Sequence, residues 1–284
     1  MKKKFSLIVA TYGREKEVEH FLKSIETSKY DLKNIEVIIV DQNKEIDLEP
    51  IVKKFSEKIF IKHIKSEKKG LSLNRNIGLK IASGDIIAFP DDDCEYLEDT
   101  LCIVNNIFNS DKELKLLMGR IVERDGSDSL RYWPKKYSKI NKNNFYKKCS
   151  SITMFFDKSV NELYFNEKLG AGVYFGACED SDLIYRTLKD KHKAVYNPEL
   201  RIYHPHYNSK INMDLRKIGS YGLGFGGFIK SNLDIYLLIL FVKAEIFHLL
   251  KTIIYLITLK FEDSKKSKEA FTKRIVGFIK YRQK

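Results

Sequence analysis

The first half of the chain alternates short apolar runs with segments whose apolar residues recur at helical spacing. The apolar runs predict strands at residues 5–10, 35–40, 59–64 and 86–89. The amphipathic segments between them predict helices at residues 15–28, 48–55 and 71–82. Strand–helix alternation of this kind predicts an α/β fold in which helices flank a mostly parallel, Rossmann-like central sheet.

The last part of the chain has a different pattern. Apolar residues dominate 233–261, but Lys243, Glu245, His248 and Lys251 interrupt them, and at helical spacing these four share an arc of about 200°. The longest uncharged run after Asp234 is 235–242, which is too short for a membrane span of about 20 residues. We therefore predict one domain over 1–230 and a C-terminal amphipathic helical region over 231–284.

Two interpretations of this C-terminal region remain open. Its apolar face and flanking lysines suit peripheral contact of residues 233–284 with an anionic membrane surface. Alternatively, the helices pack on the first domain or on a partner subunit, which leaves a homo-oligomer open.

Charge and cysteine content narrow the classes of partner. The chain has 284 residues, with 51 Lys and Arg against 38 Asp and Glu, a net charge of +13 that predicts an anionic partner. Residues 124–148 mix basic and aromatic side chains, yet no nucleic-acid-binding module is recognisable, so no nucleic acid is expected. The four cysteines form no C-x-x-C pair, which predicts neither a zinc site nor a disulfide framework and favours a reduced, cytoplasmic setting.

Three adjacent carboxylates, Asp91, Asp92 and Asp93, follow the fourth predicted strand. Pro90 cannot donate to a ladder, so the strand should end there and present the acids at its C-terminal edge, where ligands of α/β sheets bind. Their mutual repulsion favours a bound cation, and hard oxygen ligands suit Mg²⁺ or Mn²⁺. The alternative is a solvated acidic turn.

Other strand ends carry side chains suited to a nucleotide. Neither G-x-G-x-x-G nor G-x-x-x-x-G-K-[ST] is present, which argues against a dinucleotide oxidoreductase and a P-loop NTPase. Side chains and a metal would therefore have to hold any nucleotide. Tyr12 could stack on a base, Asp41 could accept a hydrogen bond from a base N–H, and Arg75 could pair with a diphosphate.

The motifs at 9–14, 40–41, 70–78 and 87–93 resemble, in order, those of family 2 glycosyltransferases with a GT-A fold. That resemblance implies a nucleotide-sugar donor, a divalent metal held by a D-x-D motif, and inversion at the anomeric carbon. It departs from the family at Gln42, where a second acid is common. The implied donor-binding residues are Thr11, Tyr12, Arg14, Asp41, Arg75, Asp91 and Asp92. The implied metal ligands are Asp91, Asp93 and His204, with His206 as the alternative histidine.

A second acidic cluster runs from Glu179 to Arg186 after a glycine-rich stretch. Its E-D-x-D-L-x-x-R pattern resembles the acceptor-side motif of the same family, which makes Asp180 the catalytic base and Glu179 a residue that orients the acceptor. A sugar hydroxyl needs such a base because it is a poor nucleophile. The alternative is capping of a helix N-terminus by Asp180 or Ser181.

The sequence thus predicts an inverting, metal-dependent glycosyltransferase at the cytoplasmic face of the cell membrane. The resemblance to enzymes of capsule and cell-surface polysaccharide synthesis implies a UDP-linked donor and a hydroxyl of a glycan or lipid-linked acceptor. One alternative is a sugar-1-phosphate nucleotidyltransferase, although residues 11–14 lack the glycine-rich loop of that class. The other is a non-catalytic membrane- or polyanion-binding module with a degenerate site.

Overall fold

The computed structural model describes residues 1–205 and 213–282, so the prediction for His206 lies outside the described residues. Chain contacts divide it into two compact units. The first unit comprises Met1–Lys69, Leu73–Tyr164 and the described part of Thr187–His206, and the second comprises Gly70–Ser72, Phe165–Arg186 and the described part of Tyr207–Lys284. The predicted domain boundary at residue 230 stays a prediction.

Within the described residues the chain forms nine strands and eight α-helices. The strands are β1 (Phe5–Thr11), β2 (Ile35–Asp41), β3 (Phe60–Lys65), β4 (Ile86–Ala88), β5 (Glu95–Tyr96), β6 (Leu114–Val122), β7 (Ser138–Lys139), β8 (Phe155–Asp157) and β9 (Lys193–Tyr203). The helices are α1 (Lys16–Glu26), α2 (Glu49–Ser56), α3 (Leu71–Leu79), α4 (Thr100–Ser110), α5 (Glu179–Lys189), α6 (Leu215–Ser231), α7 (Ile235–Ile257) and α8 (Phe261–Lys280).

All nine strands join one sheet in the first unit, in the order β3-β2-β1-β4-β8-β6-β9-β5, with β7 beside β9. The predicted α/β fold is confirmed. Strands β1 to β4 are parallel, as their alternation with helices requires, and β6 is parallel to β9. Strands β5, β7 and β8 pair antiparallel with their neighbours, so the whole sheet is mixed. Every residue of β1 and β2 is buried, which explains their nearly unbroken apolar sequences.

The basic, aromatic segment at 124–148 is anchored by an indole in the core. Trp133 is wholly buried, and its Nε1 donates a hydrogen bond to the Ser129 carbonyl at 2.9 Å. The Arg131 guanidinium lies 4.4 Å from the centre of the Trp133 ring system. Tyr132 and Tyr137 stay exposed on this anchored segment.

Glu36 is a buried carboxylate within β2. It accepts hydrogen bonds from the Ser6 hydroxyl and from the Ser83 backbone N–H, the latter at 2.6 Å, and it pairs with Lys62 Nζ at 3.0 Å. Burial by itself would raise the pKa of Glu36, but these hydrogen bonds outweigh it and lower the pKa to about 2.

We expect Glu36→Gln to destabilise the fold by on the order of 3 kcal/mol at neutral pH, because the carboxylate is far better stabilised in the folded chain than in the unfolded chain. A lowered pKa gives stability that is present above the unfolded value of about 4.5 and is lost as pH falls through about 2. Urea unfolding of both proteins between pH 2 and 7 measures this. The difference in free energy of unfolding between the natural chain and Glu36→Gln should shrink as the pH falls. The control Glu67→Gln, at an exposed position, should unfold with the same free energy as the natural chain. A difference independent of pH would contradict the argument.

In the second unit, α6 and α8 pack closely through glycines. A Cβ on Gly226 would overlap the backbone carbonyl of Arg274, and one on Gly277 would overlap the Leu223 carbonyl. The glycine cluster at 219–227 therefore serves close helix packing. Among the helices described, none combines the length and the apolar content needed to span a bilayer.

Candidate functional site

The acidic turn lies where the sequence places it, directly after β4. Phe89 is buried, and the turn closes with the Cys94 backbone N–H donating to the Asp91 carbonyl at 3.3 Å. Strand β5 follows at once and pairs with β9, so that Glu95 lies opposite Tyr203. This register brings the residue after Tyr203 to the acids, and His204 Nε2 lies 3.1 Å from Asp93 Oδ1.

Asp91, Asp93 and His204 form a candidate metal centre. Each offers a ligand atom, and these atoms all lie within 4.8 Å of one another. In the described part of the chain this is the one group of three or more His, Cys, Asp or Glu side chains arranged in this way. The His204 Nδ1 hydrogen-bonds the Pro205 carbonyl at 2.9 Å, which orients the ring with Nε2 towards Asp93. Two carboxylates and one imidazole are a donor set that fits a divalent cation such as Mn²⁺.

Two arginines pair with the same acids. Arg75 Nη2 lies 2.7 Å from Asp91 Oδ1, and the Arg75 side chain is completely buried. Arg14 Nη1 lies 2.6 Å from Asp93 Oδ2, while Arg14 Nε lies 3.4 Å from Asp92 Oδ1. The guanidinium groups thus offset the charge of the acidic turn and lie beside the candidate metal centre.

Burial and neighbouring charges together raise the pKa of Asp92 and His204 and lower the pKa of Asp93. Burial raises the pKa of Asp92 to about 7, although Thr11 and Arg14 oppose the rise. Burial also acts to raise the pKa of Asp93, but His204 and Arg14 outweigh it and lower that pKa. Burial would lower the pKa of His204, and the facing carboxylates of Asp93 and Asp91 instead raise it. Asp93 is therefore an ionised member of the turn at neutral pH, as a metal ligand must be.

Asp41, at the end of β2, is wholly buried and already has several partners. Its Oδ2 lies 2.7 Å from Lys65 Nζ and 3.0 Å from His63 Nε2, and its Oδ1 accepts the Asn43 backbone N–H at 2.8 Å. Burial favours the neutral acid, but the bonds from Lys65, Asn43 and His63 lower the pKa of Asp41. The carboxylate is thus held ionised and oriented at the strand end.

Tyr12 is half exposed at the neighbouring strand end. Lys69 Nζ donates to the Tyr12 hydroxyl at 3.1 Å and lies 4.7 Å from the ring centre. The preceding Thr11 is buried, and the following Gly13 N–H donates to Asn43 Oδ1 at 2.5 Å, which ties this loop to the end of β2. The Tyr12 ring thus lies at the same sheet edge as Asp41.

Three further side chains contact predicted site residues and were not expected from the sequence, namely His63, Lys65 and Lys69. A signal existed for two of them, because His63 and Lys65 are two residues apart in a strand and therefore share one face. The parallel register of β2 and β3, which places Asp41 opposite Lys65, was needed to bring both to Asp41. Lys69 lies in a run of three charged residues and carries no such signal.

The second acidic cluster lies in the second unit, in the first turn of α5. Cys178, directly before the helix, has φ +67°, a left-handed conformation that is strained for a residue with a side chain. Glu179 is buried, and a Cβ on Gly170 would lie 3.3 Å from its side chain, so glycine allows this close approach. Asp180 is partly exposed and accepts the Ser181 backbone N–H at 2.6 Å. The Asp180 carboxylate is therefore oriented at the start of the helix and remains accessible.

Asp182 and Arg186 form an ion pair within α5. Asp182 is buried, and Arg186 Nε lies 3.0 Å from its Oδ2. Its Oδ1 accepts hydrogen bonds from Asn232 Nδ2 at 2.6 Å and from the Ser231 hydroxyl at 3.2 Å. These contacts fasten α5 to the end of α6.

Comparison with known proteins gives consistent results. The family model described as Glycosyl transferase family 2 matches residues 6–167. The chain is 31% identical over 150 residues to the GalNAc(5)-diNAcBac-PP-undecaprenol beta-1,3-glucosyltransferase of Campylobacter jejuni, covering 50% of this chain and 47% of that protein. It is 32% identical over 100 residues to the poly(ribitol-phosphate) beta-N-acetylglucosaminyltransferase TarS of Staphylococcus aureus, covering 34% of this chain and 18% of TarS. The chain thus spans less than half the length of these relatives.

Solved structures show the same fold. The crystal structure of S. aureus TarS 1-349 with UDP-GlcNAc matches at a TM-score of 0.64 and 17% identity, covering 95% of this chain and 91% of that one. A mannosyltransferase from Pyrobaculum calidifontis, solved with GDP-Man and Mn²⁺, matches at a TM-score of 0.60 and 16% identity, covering 98% and 74%. These similarities confirm the predicted GT-A fold.

Proposed function

Since the chain belongs to glycosyl transferase family 2, it is a glycosyltransferase, and we propose that it is a metal-dependent, inverting enzyme. It takes a sugar from a nucleotide-sugar donor and transfers it to a hydroxyl of a glycan or lipid-linked acceptor. The observation that carries this proposal is the convergence of Asp91, Asp93 and His204, flanked by the guanidinium groups of Arg14 and Arg75.

The donor diphosphate binds at this centre. Asp91, Asp93 and His204 hold Mn²⁺ or Mg²⁺, which when bound offsets the negative charge on the leaving nucleoside diphosphate. Arg75, fixed by burial, and Arg14 donate hydrogen bonds to phosphate oxygens in addition.

The nucleoside binds at the neighbouring strand ends. Tyr12 stacks on the base, and the ionised Asp41 accepts a hydrogen bond from a ring N–H. Uracil offers such an N–H, and the S. aureus TarS structures with UDP and UDP-GlcNAc support a UDP-linked donor. Gln42, buried beside Asp41, takes the place where the family often has a second acid.

Asp180 is the catalytic base in this mechanism. It takes the proton of the acceptor hydroxyl as the oxygen bonds to the anomeric carbon, while the bond from that carbon to the diphosphate breaks. A single displacement of this kind inverts the anomeric configuration. Glu179 orients the acceptor, and the bonds of Asp182 to Asn232 and Arg186 hold the helix in place.

The acceptor is a component of a surface polysaccharide, such as a capsule or teichoic acid, and the enzyme works at the cytoplasmic face of the cell membrane. The C. jejuni relative is named for an undecaprenol-linked acceptor, and TarS for a poly(ribitol-phosphate) acceptor. The net charge of +13 also suits work beside anionic lipid or anionic polymer.

The test is the thermal stability of the full chain with UDP, GDP, dTDP or CDP, each with and without Mn²⁺. A ligand that binds the folded chain raises its unfolding temperature. At a ligand concentration 100 times the dissociation constant, the free energy of unfolding rises by about 2.7 kcal/mol. We expect a metal-dependent rise in unfolding temperature with UDP, and a smaller rise with each of the other nucleotides. No rise with any nucleotide would contradict a donor site and favour a non-catalytic binding module. A rise with UDP followed by release of pyrophosphate from UTP and a sugar 1-phosphate would favour the nucleotidyltransferase alternative.

A further inference from the structure

Helix α7 exposes its apolar side, whereas Glu245 on the opposite side is buried. Fourteen of its residues are exposed, and all but Lys243 are apolar or aromatic. We call these thirteen the outer face. They are Ile235, Tyr236, Leu238, Ile239, Val242, Ile246, Phe247, Leu249, Leu250, Ile253, Ile254, Leu256 and Ile257. At 3.6 residues per turn they cover about half of the helix circumference.

The opposite side of α7 is committed to the neighbouring helices. Glu245 is buried, with Oε1 3.9 Å from Arg274 Nη1 of α8. The same Arg274 nitrogen donates to the Ala244 carbonyl at 3.4 Å, and the Phe241 ring stacks on Phe278 with centres 5.2 Å apart. The Ser264 hydroxyl also donates to the Thr252 carbonyl. The sequence placed Glu245 on one arc with Lys243, His248 and Lys251, and the structure buries Glu245 while Lys243 is exposed. Rotating α7 to cover its outer face would break these contacts.

We propose that the outer face of α7 lies in the interfacial layer of an anionic lipid bilayer, with the helix parallel to the membrane plane. A single helix of a second copy would cover only a narrow seam of α7, whereas an interfacial helix buries a broad apolar face between headgroups and acyl chains. Residues 233–282 carry ten Lys and Arg against five Asp and Glu, an excess that anionic headgroups attract.

This helix is hydrogen-bonded to the helix that bears the proposed base. Asp234 caps α7 by accepting the Tyr236 and Leu237 backbone N–H groups, and it also accepts the Tyr185 hydroxyl of α5 at 2.5 Å. The bond between Asp182 of α5 and Asn232 lies just before the cap. Docking of α7 therefore fixes the orientation of α5 and Asp180 relative to the membrane. Resting on the proposed function, this means that the acceptor is one presented from the membrane surface, a lipid-linked saccharide.

The test is flotation of the full chain with vesicles of phosphatidylcholine, with and without phosphatidylglycerol. We expect the natural chain to float with the anionic vesicles and to float less at high salt. Replacing two outer-face residues, Ile246→Gln with Leu250→Gln, should weaken binding about 100-fold, or about tenfold for each side chain withdrawn from the lipid. The unfolding temperature should not fall, because both side chains are already about half exposed in water. The matched control, Tyr132→Gln with Tyr137→Gln, changes two exposed aromatic residues elsewhere and should float normally.

Three results would overturn the inference. The first is failure of the natural chain to float with either kind of vesicle, and the second is flotation of the outer-face variant to the same extent as the natural chain. The third is a dimer, seen by sedimentation without lipid, that the outer-face substitutions dissociate; the outer face would then be a contact between two copies. The metal-dependent rise with UDP, measured on the same preparations, separates this inference from the proposed function. If that rise persists and flotation is absent, only the membrane inference fails. If flotation persists and the rise is absent, the proposed function and the lipid-linked acceptor that rests on it fail, and the membrane contact of α7 stands.

Discussion

Asp180→Asn should slow sugar transfer by at least about 100-fold and leave nucleotide binding unchanged. The amide has nearly the shape of the carboxylate, but it cannot take the proton of the acceptor hydroxyl. Positioned proton transfer contributes about 10²- to 10⁴-fold to such reactions, so the transfer rate should fall by that factor. The measurement is transfer from UDP-sugar to a lipid-linked acceptor, together with the UDP-induced rise in unfolding temperature.

Two variants make this result specific to the proposed base. Asp190→Asn changes an exposed acid just beyond the other end of α5 and should keep full activity. Asp182→Asn weakens the bonds to Arg186 and Asn232, so it should lower the free energy of unfolding. Any loss of activity in this variant should follow from that loss of stability. Full activity of Asp180→Asn would exclude this residue as the base. Loss of activity in Glu179→Gln alone would instead transfer the role to its neighbour.

Much of the fold could be predicted because its signals are local. The apolar runs of β1 and β2 and the stop at Pro90 depend on residues within a few positions of one another. The acids at the end of β4 follow from the same local pattern, and so does the helix that begins at Glu179. Periodicity and chain breakers were therefore sufficient for the parallel half of the sheet.

The assembly of the candidate metal centre could not be derived in the same way. Asp93 and His204 meet because β5 pairs antiparallel with β9, a register set between segments about a hundred residues apart. The resemblance to a family suggested His204, but periodicity alone gave no reason to prefer it. The partners of Asp41 likewise depend on the register of β2 with β3.

The orientation of α7 is a second feature that the sequence alone could not predict. Helical periodicity identifies two unlike faces, and a polar face is ordinarily assigned to water. Here Glu245 faces Arg274 of α8, about thirty residues further along the chain, and the apolar face is left outside. Amphipathicity predicted the helix, whereas the direction of its faces depended on tertiary partners.

Asp93→Asn should remove the metal dependence of nucleotide binding. Asp93 is the acid shared by His204 and Arg14, so its replacement takes a ligand and a charge from the centre at once. Loss of an outer-shell partner alone typically costs about 10- to 100-fold in metal affinity, so losing a ligand should cost at least about 100-fold. Calorimetric titration of Mn²⁺ into the protein with UDP present measures this directly.

The neighbouring acid provides the control for that experiment. Asp92→Asn removes a carboxyl that lies outside the cluster of ligand atoms and whose pKa of about 7 leaves it only partly charged at neutral pH. We expect its Mn²⁺ affinity to stay within about tenfold of the natural value, below the loss expected for a ligand. Equal effects of the two substitutions would mean that the turn acts through its total charge. Unchanged Mn²⁺ affinity in Asp93→Asn would mean that the Asp91, Asp93 and His204 cluster does not hold the metal, because one of its three ligand atoms would then be dispensable.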